Sequence, residues 1–100
     1  MAKVYGTARF TVRDDVDRAV QAIGEFVTYV KTNETGTELY LSFRDCDAPA
    51  TFTHFMIFAD EAAEQTHASS EAVQRFTSVL YPLCLEPVRF ERFELVAGGT

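Results

Sequence analysis

The sequence predicts an α+β fold whose elements follow the order β-α-β-β-α-β. Three observations support it: four segments alternate apolar and polar residues, two regions carry apolar residues at helical spacing, and capping or turn residues separate them. This order is the split βαβ or ferredoxin-like arrangement, in which an antiparallel sheet carries its two helices on one face. With 100 residues and 47% hydrophobic content, the chain suffices for a single domain over residues 1–100.

The first strand and the first helix are marked by a change in hydrophobic period. Residues 4–12 alternate between apolar and polar side chains, as a half-buried strand does. Asp14 and Asp15 then offer an N-cap. Over residues 16–30 the apolar positions recur every three or four residues, which predicts an amphipathic helix, and the polar run 32–36 ends it.

The second half of the chain predicts a hairpin, a divided helical region and a last strand. Asp60 can cap the first helical piece, and Ser69 or Ser70 the second. Phe90 and Phe93 are out of phase, which indicates a bulge or two buried faces in the last strand. The predicted segments are a strand over 38–44, a turn over 45–49, a strand over 51–59, helical pieces over 61–68 and about 73–83, and a strand over 88–96.

The third strand is apolar on both of its faces. Phe52, Met56 and Phe58 occupy one face, and Phe55 and Ile57 the other. A sheet with two apolar faces needs a cover on each, and the helices cover only one. We therefore expect a homodimer with two-fold symmetry that packs sheet against sheet. The alternative is a monomer with an exposed apolar sheet.

Composition excludes several classes of partner. The formal net charge of −6 disfavours binding to nucleic acid and to anionic membrane surfaces. No apolar run is long enough to cross a bilayer, and the first residues lack the apolar core of a signal peptide, so we expect a cytoplasmic protein. Cys46 and Cys84 form no CxxC motif, and we expect two free thiols and no metal site.

Few residues are candidates for chemistry. His67 lies near the end of a short helical piece, where it could act as a general base in a cavity or could bond to the helix end. His54 lies mid-strand, either as a core histidine with one satisfied nitrogen or as a ligand contact. No third ligand accompanies the two histidines. Four tyrosines could donate to a phenolic or quinonoid ligand: Tyr5, Tyr29, Tyr40 and Tyr81.

From Asp45 to Val96 the sequence resembles the antibiotic biosynthesis monooxygenase family of dimeric α+β barrels. The matching features are a third strand over 52–59 followed by Asp-Glu-Ala-Ala at 60–63, the histidine with small or polar residues at 67–70, and a second helix with Phe76 and Leu-Tyr-Pro-Leu at 80–83. Residues 8–36 fit the family's first strand and helix in spacing.

The resemblance implies a homodimer with a ligand pocket between sheet and helices in each subunit. It also implies oxygenation of a phenolic, anthrone or quinol substrate by O2 without metal, flavin or haem, so we expect no cofactor. His67 is the candidate catalytic residue that the resemblance supplies. Met56, Phe58 and Phe76 would form apolar walls around a small aromatic or hydrophobic molecule. Tyr5 and His54 would be polar anchors.

Two other functions remain open for the same barrel. One is a non-catalytic dimeric module that binds a small hydrophobic ligand, and the other is an isomerase or degradative enzyme that consumes no O2. Haem-degrading relatives use an Asn, a Trp and a His. The first strand here has no Asn and the chain has no Trp, which argues against haem degradation.

Overall fold

A computed structural model describes residues 2–99 and confirms the α+β, ferredoxin-like fold. The second helical region is divided at Ser69 and Ser70, where the sequence alone leaves a break and a continuous kinked helix both open. The elements are β1 (Val4–Thr11), α1 (Val16–Asn33), β2 (Thr37–Arg44), β3 (Thr51–Phe58), α2 (Glu61–Ala68), α3 (Glu71–Leu80), a 3₁₀ turn (Tyr81–Leu83) and β4 (Arg89–Phe93).

The four strands form one antiparallel sheet in the order β2-β3-β1-β4. Val4 pairs with Phe58 and Phe10 with Phe52, so the buried residues of the two central strands share one face. All three helices lie on that face, which we call the inner face. Its side chains alternate along the strands with those of the opposite, outer face.

Helices α1 and α3 close most of the core against the inner face. The rings of Phe26 and Phe76 stack almost parallel, with 4.5 Å between centroids, and join the two helices. Ala19, Val30 and Leu80 are among the most deeply buried residues of these helices. Within residues 2–99, no helix combines the length and the hydropathy that a membrane span requires.

The predicted caps hold for two of the three helices. The carboxylate of Asp60 accepts the Ala63 backbone N–H at 2.8 Å, and the Ser70 hydroxyl accepts that of Val73 at 3.1 Å. The prediction of a side-chain cap at Asp14 and Asp15 is wrong. Asp15 precedes α1 with φ 51° and ψ 51°, and its side chain makes no capping bond. Side-chain capping needs an extended backbone at this position, which Asp15 does not have.

Strand β4 is shorter than predicted. Its two phenylalanines are out of phase because they lie on opposite faces of the sheet. Phe90 pairs with Ala8 and therefore lies on the inner face, whereas Phe93 pairs with Tyr5 on the outer face. Each aromatic ring thus belongs to a different side of the sheet. The predicted strand ends at Phe93 instead of Val96.

The outer face carries the second set of apolar residues that the sequence predicted. Leu41 pairs with Phe55, and Ile57 pairs with both Tyr5 and Leu39. Exposed side chains extend this surface at Leu41, 40% exposed, Phe43, 53%, and Phe93, 49%. No element of the described chain packs over this face.

Candidate active site

A cavity of about 320 Å³ lies between the inner face of the sheet and helices α2 and α3. Five predicted site residues line it together: His54, Met56 and Phe58 from β3, His67 from α2, and Phe76 from α3. Its size and largely apolar wall are those of a pocket for a small organic ligand.

Tyr5, the sixth predicted site residue, does not reach this cavity. It pairs with Ile57 and Phe93 on the outer face, and the cavity is on the inner side of the same sheet. The predicted role of Tyr5 as a polar anchor for the ligand is therefore corrected. Side chains alternate across a strand, so one position of offset places a residue on the opposite face.

His67 is held by a carboxylate from the end of α1. Its Nδ1 lies 2.7 Å from Oε1 of Glu34, and the two side chains are only 11% and 9% exposed. The hydroxyl of Thr37 donates to the same Oε1 at 2.7 Å. His67 thus bonds to a buried carboxylate, and the alternative in which its ring bonds to the helix end is not what the structure shows.

This contact determines which nitrogen of His67 can act as a base. A carboxylate can only accept, so when Glu34 is a carboxylate Nδ1 of His67 donates to it, and in the neutral imidazole Nε2 then carries the lone pair. The hydrogen bond that the structure shows for the His67 ring is the one at Nδ1. The carboxylate also stabilises the imidazolium formed when Nε2 takes up a proton. His67 lines the cavity, and an imidazole held in this way can act as a general base through Nε2.

His54 is buried deeper, with 1% of its surface exposed. Its Nδ1 lies 2.8 Å from the hydroxyl of Tyr40, and its Nε2 is buried with no hydrogen-bond partner in the described chain. Burial, with a smaller contribution from the charge of His67, lowers the pKa of His54 to about 4. Burial and the charge of Glu34 raise the pKa of the Tyr40 phenol above its usual range. Both groups are therefore neutral near pH 7.

Both histidine rings lie close to the aromatic ring of Tyr40. The centroid of Tyr40 lies 5.4 Å from that of His54 and 5.6 Å from that of His67. Phe10 packs edge-on against His54 at 5.2 Å, and Phe58 lies 5.1 Å from His67. Packing on these rings fixes the orientation of both imidazoles before any ligand enters.

The rim of the cavity combines a charged pair with exposed aromatic residues. Glu64, one turn before His67, lines the cavity and pairs with Arg92 of β4 at 3.2 Å. Tyr81 and Phe90 line both this cavity and a neighbouring pocket at the surface, so they mark its open side. No group of three or more metal-ligating side chains occurs within residues 2–99.

Sequence reasoning missed Glu34 and did not single out Tyr40. Glu34 lies 33 residues from its partner His67, and in the sequence it belongs to a polar stretch that only ends a helix. Tyr40 did carry a signal, because it alternates with Leu39 and Leu41 and must lie on the opposite face of β2. The pairing register then places it opposite Met56, two residues from His54 on the same face of β3.

Comparison with solved structures shows the same fold in proteins of low sequence identity. A Caulobacter crescentus protein provisionally described as an antibiotic biosynthesis monooxygenase matches with a TM-score of 0.88 at 16% identity, over 95% of this chain and 91% of that one. Rv0793 from Mycobacterium tuberculosis matches with a TM-score of 0.86 at 19% identity, over 99% and 100%.

SnoaB from Streptomyces nogalater, described as a cofactor-independent oxygenase, is a third structural match. Its TM-score is 0.85 at 13% identity, over 98% of this chain and 97% of that one. No protein-family model matches the sequence, and no curated protein sequence matches it. The chain thus has the fold of structures named antibiotic biosynthesis monooxygenases, and at these identities the likeness shows the fold alone.

Proposed function

We propose that this chain is a cofactor-independent monooxygenase of the antibiotic biosynthesis monooxygenase family, oxidising a small phenolic, anthrone or quinol substrate with O2. The observation that carries the proposal is the buried pair of His67 and Glu34 at the wall of an apolar cavity. A substrate of this class supplies the electrons itself, and the protein needs to bind it and remove a proton. The naming of SnoaB as a cofactor-independent oxygenase supports the same chemistry on this fold.

The reaction begins with proton transfer to Nε2 of His67. Loss of a C–H or O–H proton leaves an electron-rich carbanion or phenolate, while Glu34 stabilises the imidazolium. The anion transfers an electron to O2, and the two radicals combine to form a C–O bond. For an anthrone, cleavage of the O–O bond and loss of the second proton convert the CH2 group to a carbonyl. One O2 is consumed and one H2O is released, which balances atoms and electrons.

The cavity wall suits this chemistry because much of it is aromatic and apolar. Phe10, Phe26 and Phe76 offer ring surfaces to a planar substrate. The apolar part of the wall offers water few hydrogen-bonding partners next to the reactive anion.

Oxygen uptake by purified, metal-stripped protein tests the proposal. A panel of anthrones, hydroquinones and catechols would be offered to the wild-type protein and to the His67→Ala and Glu34→Gln variants. We expect uptake above the autoxidation rate, and losses of about 100-fold or more in kcat for His67→Ala, as is typical when a general base is removed. Tyr5→Phe is the matched control on the outer face and should retain wild-type turnover.

Each other outcome assigns the cavity differently. Ligand binding without any product would contradict the enzyme and favour a non-catalytic binding module. Conversion of the ligand without O2 consumption would favour an isomerase or degradative enzyme. Uptake that persists in His67→Ala and in Glu34→Gln would contradict the assignment of the base.

We also propose that two copies of the chain pack through their outer faces. The apolar side chains of β2, β3 and β4 on this face have no cover within one described chain. Burying them against a second copy removes apolar surface from water, and a two-fold axis brings the same apolar face of both copies into contact. Light scattering should give twice the 11.2 kDa of one chain. Leu41→Glu should shift the mass towards a monomer, and a monomeric wild-type protein would contradict the proposal.

A further inference from the structure

We propose that Nε2–H of His54 is the hydrogen-bond donor that holds the substrate oxygen as it becomes negatively charged, and that Tyr40 is the positioning residue that keeps the proton on this nitrogen. The inference rests on the proposed function for the reaction that it serves. It deepens that function by naming the ligand class: a planar aromatic molecule with an ionisable hydroxyl or an enolisable carbonyl oxygen.

The first step of the argument is the tautomer of His54. The hydroxyl of Tyr40 lies 2.8 Å from Nδ1 of His54. A phenol is a strong donor and an imidazole nitrogen a strong acceptor, so the hydroxyl donates and Nδ1 accepts. A neutral imidazole that accepts at Nδ1 carries its proton on Nε2. The contact with Tyr40 thus presents Nε2 as an N–H donor.

The second step is the isolation of that donor. Nε2 is buried and has no partner within residues 2–99, although His54 lines the ligand cavity. Buried polar groups in folded proteins are nearly always hydrogen-bonded, because an unpaired one lowers stability. An acceptor that the ligand brings into the part of the cavity lined by His54 would pair this buried donor.

The third step is charge. His54 stays neutral near pH 7, since its burial opposes protonation. The other titratable side chains lining this cavity are Glu64 and His67 from α2, Tyr40 from β2, and Tyr81, while Glu34 reaches it through His67. A neutral N–H donates to the oxyanion that forms and adds no positive charge to the site. It therefore suits a substrate oxygen that becomes negatively charged inside the cavity, and it also binds a phenolate that is already ionised.

The two histidines then have separate tasks on one bound molecule. Both rings contact Tyr40, so both line one region of the cavity. His67 removes the proton, and His54 receives the charge on the oxygen conjugated to the reacting atom. An apolar site can form an anion when one group accepts the proton, here His67, and a second group donates a hydrogen bond to the new charge, here His54.

Binding of 4-nitrophenol tests the inference without O2. Its phenolate absorbs visible light, so both binding and ionisation are measured, and nitrobenzene is the matched ligand without the hydroxyl. We expect His54→Phe to weaken phenolate binding about 10- to 100-fold, with little change for nitrobenzene. Tyr40→Phe should cause a smaller loss, because Nε2 remains but its proton is no longer fixed. His54→Gln retains a donor and should recover part of the affinity.

Nitrogen-15 NMR of the imidazoles gives a second measurement that does not depend on folding of the variants. In the wild-type protein we expect the His54 proton on Nε2, with a shift of that N–H on adding 4-nitrophenol. A proton on Nδ1, or equal loss of phenolate and nitrobenzene binding in His54→Phe, would overturn the inference. If His54→Phe weakens phenolate binding selectively while no substrate consumes O2, the monooxygenase proposal fails and the role of His54 in binding stands.

Discussion

Two sides of the same helical layer are built differently. Helices α1 and α3 bury a row of side chains against the sheet and stack Phe26 on Phe76, whereas α2 has no buried residue. Helix α2 is instead held by polar contacts, through His67 to Glu34 and through Glu64 to Arg92. The cavity lies where the apolar packing of the first side gives way to the polar contacts of the second.

The difference shows how a small domain can combine stability with a reactive site. Apolar packing on the α1 and α3 side supplies most of the favourable burial. The α2 side contributes less to the core and can therefore place the contacts of His67 with Glu34 and of Glu64 with Arg92 beside the cavity. Four predictions test this division, beginning with the largest expected effect.

Ile23→Ala should destabilise the protein by about 2–5 kcal/mol, because it removes a buried side chain from the packed side and leaves a cavity. Gln65→Ala, on the exposed surface of α2, is the matched change and should alter the free energy of unfolding by about 0.5 kcal/mol or less. Urea unfolding measures both. Similar losses in the free energy of unfolding for the two variants would contradict the difference between the α1 and α3 side and α2.

Acidification should destabilise the protein through His54. Its pKa in the folded protein is about 4, against an ordinary 6.5. Between these values the unfolded chain binds a proton at His54 and the folded chain does not, so stability falls as the pH falls. We expect the loss from pH 7 to 4 to be about 3 kcal/mol larger in the wild type than in His54→Gln. Parallel pH profiles for the two proteins would refute a buried, neutral His54.

Gly36→Ala should disturb the contact between α2 and the start of β2. A Cβ built on Gly36 would lie 2.6 Å from Cβ of Ala63, too close for both to stay in place. Overpacking of this kind costs about 1–3 kcal/mol, and displacement of α2 should also weaken the contact of Glu34 with His67. Ala63→Gly in the same chain removes the clash and should restore both thermal stability and turnover. Failure of the double variant to recover would point to another cause.

The helix caps give the smallest effects and differ in sign. Asp60→Ala and Ser70→Ala each remove a side-chain bond to a helix N-terminus and should destabilise by about 1 kcal/mol. Asp15→Gly should be neutral or stabilising by up to about 1 kcal/mol, because Asp15 has a positive φ and makes no capping bond. Thermal melts distinguish the three, and a loss at Asp15 as large as that at Asp60 would show a side-chain contribution there.

Much of the fold followed from local patterns. The period of the apolar residues predicted the element order, and Asp60 and Ser70 cap the helices as expected because capping involves only residues a few positions apart. The two-faced apolar pattern of β3 also holds, with Phe52 buried on the inner face and Ile57 on the outer. The site was predicted less completely. His67 and His54 were candidates by residue type, but their orientation was open.

The sequence by itself determined which residues could form strands, helices and apolar faces, because these depend on periods of two and 3.6 residues. Only the tertiary structure decided the site. It joined Glu34 to His67 across 33 residues, set Tyr40 beside His54 through the register of β2 and β3, and placed Tyr5 on the far side of the sheet. Such contacts depend on how elements pack in space, and burial among them is what makes His54 neutral and leaves its Nε2 without a partner in the described part of the chain.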